Sequence, residues 1–164
     1  MLNHSNQNKS PFTHKVRVRV CGILKENSKI LLLKHEGIGR DGYLWSPPGG
    51  GVEFGDSMEE TLKKEFLEET NLRISIDKYL FVNEFIDSQH HAIEHFFQVT
   101  RESGDLQLGM DPELSPSKQI ITEVKFFNAE ELDRLDSNAI HGSFLKSKTR
   151  DKIDDQRGLI TFSD

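Results

Sequence analysis

Three glutamates stand close together in the chain, at Glu65, Glu68 and Glu69. Positions i, i+3 and i+4 fall on one side of an α-helix, so these carboxylates would repel one another unless a cation lay between them. Hard divalent cations take oxygen ligands from a few carboxylates and keep other coordination positions for water or phosphate oxygens. The triplet therefore predicts a metal site that handles phosphate, against the ordinary alternative of a solvated acidic helix face.

The residues before the triplet favour the metal site. The run 47–51 reads PPGGG, and successive glycines let backbone groups approach a ligand closely. Ser57 followed by Glu60 is a capping box, which predicts that the helix begins near Met58. The buried side of this helix is predicted from apolar residues at four-residue intervals: Met58, Leu62 and Phe66.

This segment resembles the signature of the Nudix hydrolases, G-x5-E-x7-R-E-U-x-E-E-x-G-U, in which U is apolar. The spacing fits without an insertion. The signature positions are occupied by Gly50, Asp56, Lys64, Glu65, Phe66, Glu68, Glu69, Asn71 and Leu72. Three of these depart from the pattern, because Asp56 replaces Glu, Lys64 replaces Arg and Asn71 replaces Gly. Asparagine tolerates the left-handed conformation and can still end the helix, whereas lysine lacks the planar fork of arginine and should orient a neighbouring glutamate less firmly.

The resemblance implies a fold of the α+β class, a Nudix-type α/β/α sandwich with a central mixed sheet. It also implies hydrolysis of a diphosphate bond with Mg²⁺ or Mn²⁺ as the cofactor and water as the nucleophile. By family position, Glu65, Glu68 and Glu69 would be catalytic and would hold the metal, and the backbone carbonyl of Gly49 would be a further metal ligand.

A catalytic acid from outside the signature is also expected from the resemblance. Glu123, in the strand-like run ITEVKFF, is the preferred candidate, and Glu113, in the DPEL segment, is the second. The ordinary alternatives are an exposed strand acid for Glu123 and turn chemistry for Glu113.

The histidine-rich run 90–95 resembles a metal set at first sight. On a strand, however, His91 and His95 would share one face at a separation of about 13 Å, which is too far for one ion, while Glu94 would face the other side. A zinc centre is therefore not expected. Candidate substrate-binding residues are Glu94, His95 and Trp45, with Tyr43 and Phe85 as further aromatic groups that could stack on a base, against the alternative of ordinary strand and core residues.

The remaining pattern predicts strands around a central helix. Apolar or alternating runs predict strands over 15–25, 29–35, 73–77, 79–87, 91–100 and 119–127. Asn128 is predicted to open a second, short helix. Strands flanking a central helix, with another helix later, indicate a mixed sheet between helices.

Composition limits the class of partner. The chain has 164 residues and a formal net charge of -6, which fits one domain and argues against a nucleic-acid surface. Cys21 is the only cysteine, so no intramolecular disulfide can form, and its apolar neighbours predict a buried thiol. No secretory signal or long apolar span is visible, so a cytoplasmic protein that does not bind a membrane is expected.

The two ends are predicted to lie outside the domain. Residues 1–14 are polar and predict a disordered tail, 15–145 form the Nudix hydrolase domain, and 146–164 form a charged tail or short helix. Three placements are open for the apolar run 158–162: an edge strand, a contact with a neighbouring subunit in a homodimer, or a free end.

Substrate identity is the least constrained inference. The leading expectation is a small nucleotide, of the ADP-ribose or nucleotide-sugar type. The alternatives are a pyrophosphohydrolase that removes modified nucleoside triphosphates, and a non-catalytic Nudix-fold sensor that binds a nucleotide without cleaving it.

Overall fold

The computed structural model describes residues 13–110 and 115–163. Its eight strands form a mixed sheet in the order β3-β2-β1-β6-β5-β8, with β4 paired to β1 and β7 paired to β2. The strands are β1 (Val16–Glu26), β2 (Lys29–Glu36), β3 (Tyr43–Ser46), β4 (Gly49–Gly51), β5 (Arg73–Ile86), β6 (His91–Ser103), β7 (Ile121–Phe127) and β8 (Gly158–Ser163). The predicted α+β sandwich with a central mixed sheet is confirmed.

The described residues also include two α-helices and three short 3-10 helices. The helices are α1 (Met58–Thr70) and α2 (Ala129–Arg134), and the 3-10 helices span Pro116–Lys118, Gly142–Lys146 and Arg150–Asp155. Helix α1 begins with the predicted capping box of Ser57 and Glu60. Helix α2 begins at the predicted Asn128, which forms a capping box with Glu131. No helix among the described residues has both the length and the apolar character that a membrane span requires.

The core is divided between the two faces of the sheet. Leu62 and Phe66 of α1 pack on one face in a cluster with Val20, whereas Leu132 of α2 belongs to the cluster on the other. This second cluster contains Cys21, which is 3% exposed as predicted. Burial raises the pKa of its thiol well above the usual value, so the thiol stays protonated and unreactive.

Two details of the predicted elements are wrong. Met58 is 38% exposed, because the first residue of α1 lies outside the core cluster that buries Leu62 and Phe66. The two strands expected over 73–77 and 79–87 are one strand, β5. Its pairing with β6 shifts register between Ile76 and Lys78, so the polar residues there form an irregularity within the strand and do not end it.

The C-terminal segment is folded onto the domain. Ile153, in the middle of the charged run, is fully buried, and Arg150 donates to the carbonyls of Leu132 and Leu135 at 2.6 and 2.8 Å. The chain then continues into β8, which pairs in parallel with β5. Of the three placements considered for residues 158–162, the structure has the edge strand. Residues 1–12, which contain most of the predicted N-terminal tail, lie outside the described residues.

Candidate active site

The glycine turn and α1 meet through two of the three signature glutamates. The backbone N–H of Gly49 donates to Glu69 Oε2 at 3.0 Å. The Glu65 carboxylate lies directly against the Cα of Gly50, where any side chain would collide with it. Gly49 itself has φ 152°, and a side chain there would collide with the carbonyl of Val20 on β1. Close approach of the backbone therefore requires glycine at Gly49, whereas a side chain at Gly50 would displace the Glu65 carboxylate. Glu65 and Glu69 both lie against β4.

Glu69 lies in an electrostatically crowded position. It is 8% exposed, and this burial together with the nearby charge of Glu65 raises its pKa to about 8, although the Gly49 N–H and Arg19 oppose the shift. A carboxylate has a raised pKa when its surroundings do not compensate the negative charge of its ionised form. A bound cation would supply the missing positive charge.

Glu68 is placed differently from the other two. Its carboxylate is 28% exposed and lies 4.0 Å from the Lys64 ammonium. Within the described part of the chain, no group of three His, Cys, Asp or Glu side chains converges as a ready-made metal site. The structure thus brings Glu65 and Glu69 to the glycine turn and leaves Glu68 on the rim. The metal roles of all three glutamates, and of the Gly49 carbonyl, remain predictions.

The C-terminal end of α1 is closed by the chain that follows β6. Asn71 adopts the left-handed conformation, with φ 60° and ψ 18°, as predicted for the residue in place of the signature glycine. Its side-chain amide donates to the carbonyl of Asp105 at 3.0 Å, and the N–H of Gly109 donates to the carbonyl of Glu69 at 2.8 Å. The predicted acid Glu113 follows this segment but lies outside the described residues.

Glu123 lies on β7, which pairs with β2. Its carboxylate is 54% exposed and forms an ion pair with Lys34 at 3.0 Å. Lys34 also contacts Glu36 at 3.0 Å, so Glu123 belongs to a charged group on the paired strands β2 and β7. Its catalytic role stays a prediction.

The three predicted substrate-binding residues are separated by the structure. Trp45 is 6% exposed and packs edge-on against Phe127, at 4.7 Å between ring centroids, which leaves little of the ring free for a base. The burial pattern of β6 alternates as expected, so His95 and Glu94 lie on opposite faces of the sheet. His95 contacts the Tyr79 hydroxyl through Nδ1 at 3.2 Å on the less buried face. Glu94 lies on the face that carries Cys21 and Phe96.

Glu94 is the centre of a polar cluster that the sequence did not reveal. Its carboxylate, 6% exposed, accepts from the Asn83 amide at 2.8 Å and from His141 Nε2 at 2.9 Å, and it pairs with Arg19 Nε at 3.4 Å. Burial alone would raise the pKa of Glu94, but His141, Arg19 and the Asn83 hydrogen bond lower it to about 2. Glu94 is therefore a buried, fully ionised carboxylate. The one sequence signal was the alternation VRVRV in β1, which places charged residues on one face of an apolar strand.

His35 lies near the same cluster. Its ring is 9% exposed, and its Nε2 has no hydrogen-bond partner among the described residues. Burial, with the electrostatic influence of Arg19 and His141, lowers its pKa to about 4, so the ring of His35 is neutral at neutral pH. The side-chain oxygen of Asn83 is likewise buried without a partner. Such atoms are rare in folded proteins and mark places where water or a ligand can bind.

Comparisons with known proteins agree with this architecture. The profile of the NUDIX domain matches residues 13–147. An ADP-ribose pyrophosphatase of Methanocaldococcus jannaschii is 32% identical over 120 residues, which cover 72% of this chain and 65% of that protein. A Bacillus subtilis protein named "Putative 8-oxo-dGTP diphosphatase" is 38% identical over 71 residues, or 42% of this chain and 45% of that one. The chain thus spans less than two thirds of the length of either relative.

A solved structure supports the fold independently. A NUDIX hydrolase from Nitrosomonas europaea superposes with a TM-score of 0.64 at 19% identity, over 76% of this chain and 80% of that one. The domain match covers most of the chain and includes the glycine turn, α1 and the whole polar cluster. The chain belongs to the Nudix family.

Proposed function

We propose that this protein hydrolyses the diphosphate bond of a nucleoside diphosphate linked to another group, in a reaction that depends on Mg²⁺ or Mn²⁺. The observation that carries the proposal is the placement of Glu65 and Glu69 at the glycine turn, where burial and the charge of Glu65 raise the pKa of Glu69 to about 8. A site built to receive a divalent cation gains its binding energy from it.

The chemistry of the donors fits a hard cation. Carboxylate and carbonyl oxygens are the ligands that Mg²⁺ and Mn²⁺ prefer, and Glu65, Glu68, Glu69 and the Gly49 carbonyl would supply them. When bound, the metal neutralises charge on the diphosphate and lowers the pKa of the attacking water. One of the three glutamates, or an acid from a later loop, would take the proton from the attacking water. The partial exposure of Glu68, at 28%, favours it for this role. The N–H of Gly49 holds the Glu69 carboxylate in a fixed orientation.

The favoured substrate class is ADP-ribose or a nucleotide sugar. Support comes from the Methanocaldococcus relative, whose similarity extends over 72% of this chain. The Bacillus relative supports the second candidate, a modified nucleoside triphosphate, over 42% of the chain. The presence of the three signature glutamates counts against a sensor that only binds nucleotide.

A substrate panel tests the proposal. Purified protein is incubated with ADP-ribose, UDP-glucose or 8-oxo-dGTP in the presence of Mg²⁺, Mn²⁺ or a chelator, and the products are identified by mass. We expect ADP-ribose to yield AMP and ribose 5-phosphate only when the metal is present. Release of pyrophosphate from 8-oxo-dGTP alone would support the second candidate. Nucleotide binding without any product would overturn hydrolysis and favour the sensor.

A further inference from the structure

Arg19 lies between the glycine turn and the polar cluster. On β1 it pairs in register with Gly51 of β4 on one side and with Glu94 of β6 on the other. Its side chain is 27% exposed, between the values of core and surface residues. Arg19 also interacts electrostatically with Glu65 and Glu69. It therefore carries positive charge next to the carboxylates of the active site, in a chain whose net charge is -6.

The guanidinium is held by a carboxylate that is itself fixed. Glu94 forms an ion pair with Arg19 through Nε at 3.4 Å. The other contacts of Glu94, from Asn83 and His141, are shorter, at 2.8 and 2.9 Å. A buried carboxylate with these two donors cannot turn away without leaving them unpaired.

The orientation of His141 follows from its surroundings. The backbone N–H of Ser143 donates to Nδ1 of His141 at 3.3 Å, so Nδ1 is a hydrogen-bond acceptor. The ring proton is therefore on Nε2, which donates a hydrogen bond to the Glu94 carboxylate. The backbone N–H of His141 donates to the carbonyl of Trp45 at 2.8 Å, which ties this loop to β3. A continuous series of contacts thus runs from His141 through Glu94 to Arg19, which interacts electrostatically with Glu65 and Glu69.

We propose that Arg19 binds a phosphate group of the substrate's diphosphate, and that Glu94 and His141 are positioning residues that hold its guanidinium in place. The inference rests on the proposed function. Arginine donors match phosphate oxygens in a way that a lysine point charge does not. The metal and Arg19 would then neutralise the diphosphate from two directions, the metal from α1 and Arg19 from β1.

A second arginine on the same pair of strands provides a matched control. Arg101 of β6 forms an ion pair with Glu26 of β1 at 2.8 Å, at the other end of these strands. Its side chain is 35% exposed, similar to Arg19. If Arg19 served only to join β1 and β6, the substitutions Arg19→Gln and Arg101→Gln should have equivalent effects.

Binding is measured by calorimetry with Mg²⁺, using inorganic pyrophosphate and a methylene-bridged analogue of ADP-ribose that cannot be hydrolysed. We expect Arg19→Gln to weaken both ligands by about 10- to 100-fold, the range for a hydrogen bond to a charged group. Arg19→Lys should lie between Arg19→Gln and the unchanged protein, and Arg101→Gln should stay within about twofold of it. An affinity of Arg19→Gln within twofold of the unchanged protein would overturn the role of Arg19.

The positioning role of His141 is tested by combining substitutions of His141 and Arg19. His141→Leu removes the donor to Glu94, whereas His141→Gln keeps an amide donor near the position of Nε2. We expect His141→Leu to weaken pyrophosphate binding several-fold, His141→Gln to restore it, and His141→Leu to have no further effect when combined with Arg19→Gln. Independent, additive losses in the double variant would overturn the positioning role, and circular dichroism spectra verify that each variant is folded.

The two proposals fail in different ways. If the unchanged protein hydrolyses or binds the diphosphate compounds and Arg19→Gln does so equally well, only the inference about Arg19 is wrong. If the unchanged protein neither binds nor hydrolyses any of them, the proposed function is wrong, and the role of Arg19 is overturned with it.

Discussion

Glu69 shows how one residue type acquires a special environment from its neighbours. Glu59, Glu60, Glu68 and Glu69 all lie on α1, yet Glu69 alone among these four is buried. Its carboxylate lies beneath the glycine turn, next to Glu65, and accepts from Gly49. The same amino acid at Glu59 forms an exposed pair with Lys63. Position relative to the turn decides which of these glutamates is buried next to Glu65.

The substitution Glu69→Gln tests this assignment. Glutamine still accepts from the Gly49 N–H, so the fold should persist, but it removes the charge that would hold the cation. We expect kcat to fall by at least about 100-fold, the scale of losing a group that acts on the reacting atoms. The fall in kcat is measured by steady-state hydrolysis of ADP-ribose with Mg²⁺, and thermal unfolding shows whether the variant is folded like the unchanged protein. Glu59→Gln is the control and should keep full activity; equal turnover in both variants would contradict the assignment.

At the scale of elements, α1 explains two departures from the family signature. Lys64 lies 4.0 Å from Glu68, a loose contact consistent with the loss of the arginine fork. Asn71 has the left-handed conformation that glycine would adopt, and in addition its side chain bonds to Asp105. That bond fixes the segment after β6 against the end of the helix, a contact that glycine could not make.

Substitutions of Asn71 separate backbone conformation from the side-chain bond. Asn71→Ala removes the side-chain bond to Asp105 and also strains the backbone, because alanine tolerates the left-handed conformation poorly. This substitution should lower the free energy of unfolding by about 1–2 kcal/mol. Asn71→Gly loses the bond to Asp105 but relieves the backbone, so its change should stay within about 0.5 kcal/mol. Urea unfolding measures both. Equal losses would show that the side-chain bond alone matters.

At the scale of the whole molecule, the C-terminal segment completes the second core. Ile153 and Phe144 are fully buried in the cluster that contains Phe96 and Leu132. Phe96 also lies 5.6 Å from the ring of His141, so this core supports the polar cluster around Glu94. The segment is therefore part of the scaffold that holds the site.

The substitution Ile153→Ala tests that role. Truncating a fully buried isoleucine removes its packing and leaves a cavity, so the free energy of unfolding should fall by about 3 kcal/mol. Ile120→Ala is the control, because Ile120 is 44% exposed, and it should cost less than about 1 kcal/mol. Denaturant titration measures both variants. A negligible effect of Ile153→Ala would mean that the segment is a loose tail, as its charged sequence suggested.

Prediction from sequence succeeded where the signal was local. Four features each depend on residues within a few positions of one another: the capping box at Ser57, the helix start at Asn128, the left-handed end at Asn71 and the alternating faces of β6. It failed where contacts join distant parts of the chain. Ile153 was hidden in a charged run because the partners that bury it lie on other elements.

The sequence alone determined that three acids follow a glycine turn on one helix, because helical periodicity and glycine conformation are local properties of the chain. Only the tertiary structure decided that Glu69 is buried while Glu68 is not, and that Arg19, Asn83, Glu94 and His141 form one cluster. Those four residues come from three strands and a loop. They meet only because parallel and antiparallel pairing brings these strands together, and that pairing is set by the packing of the whole sheet.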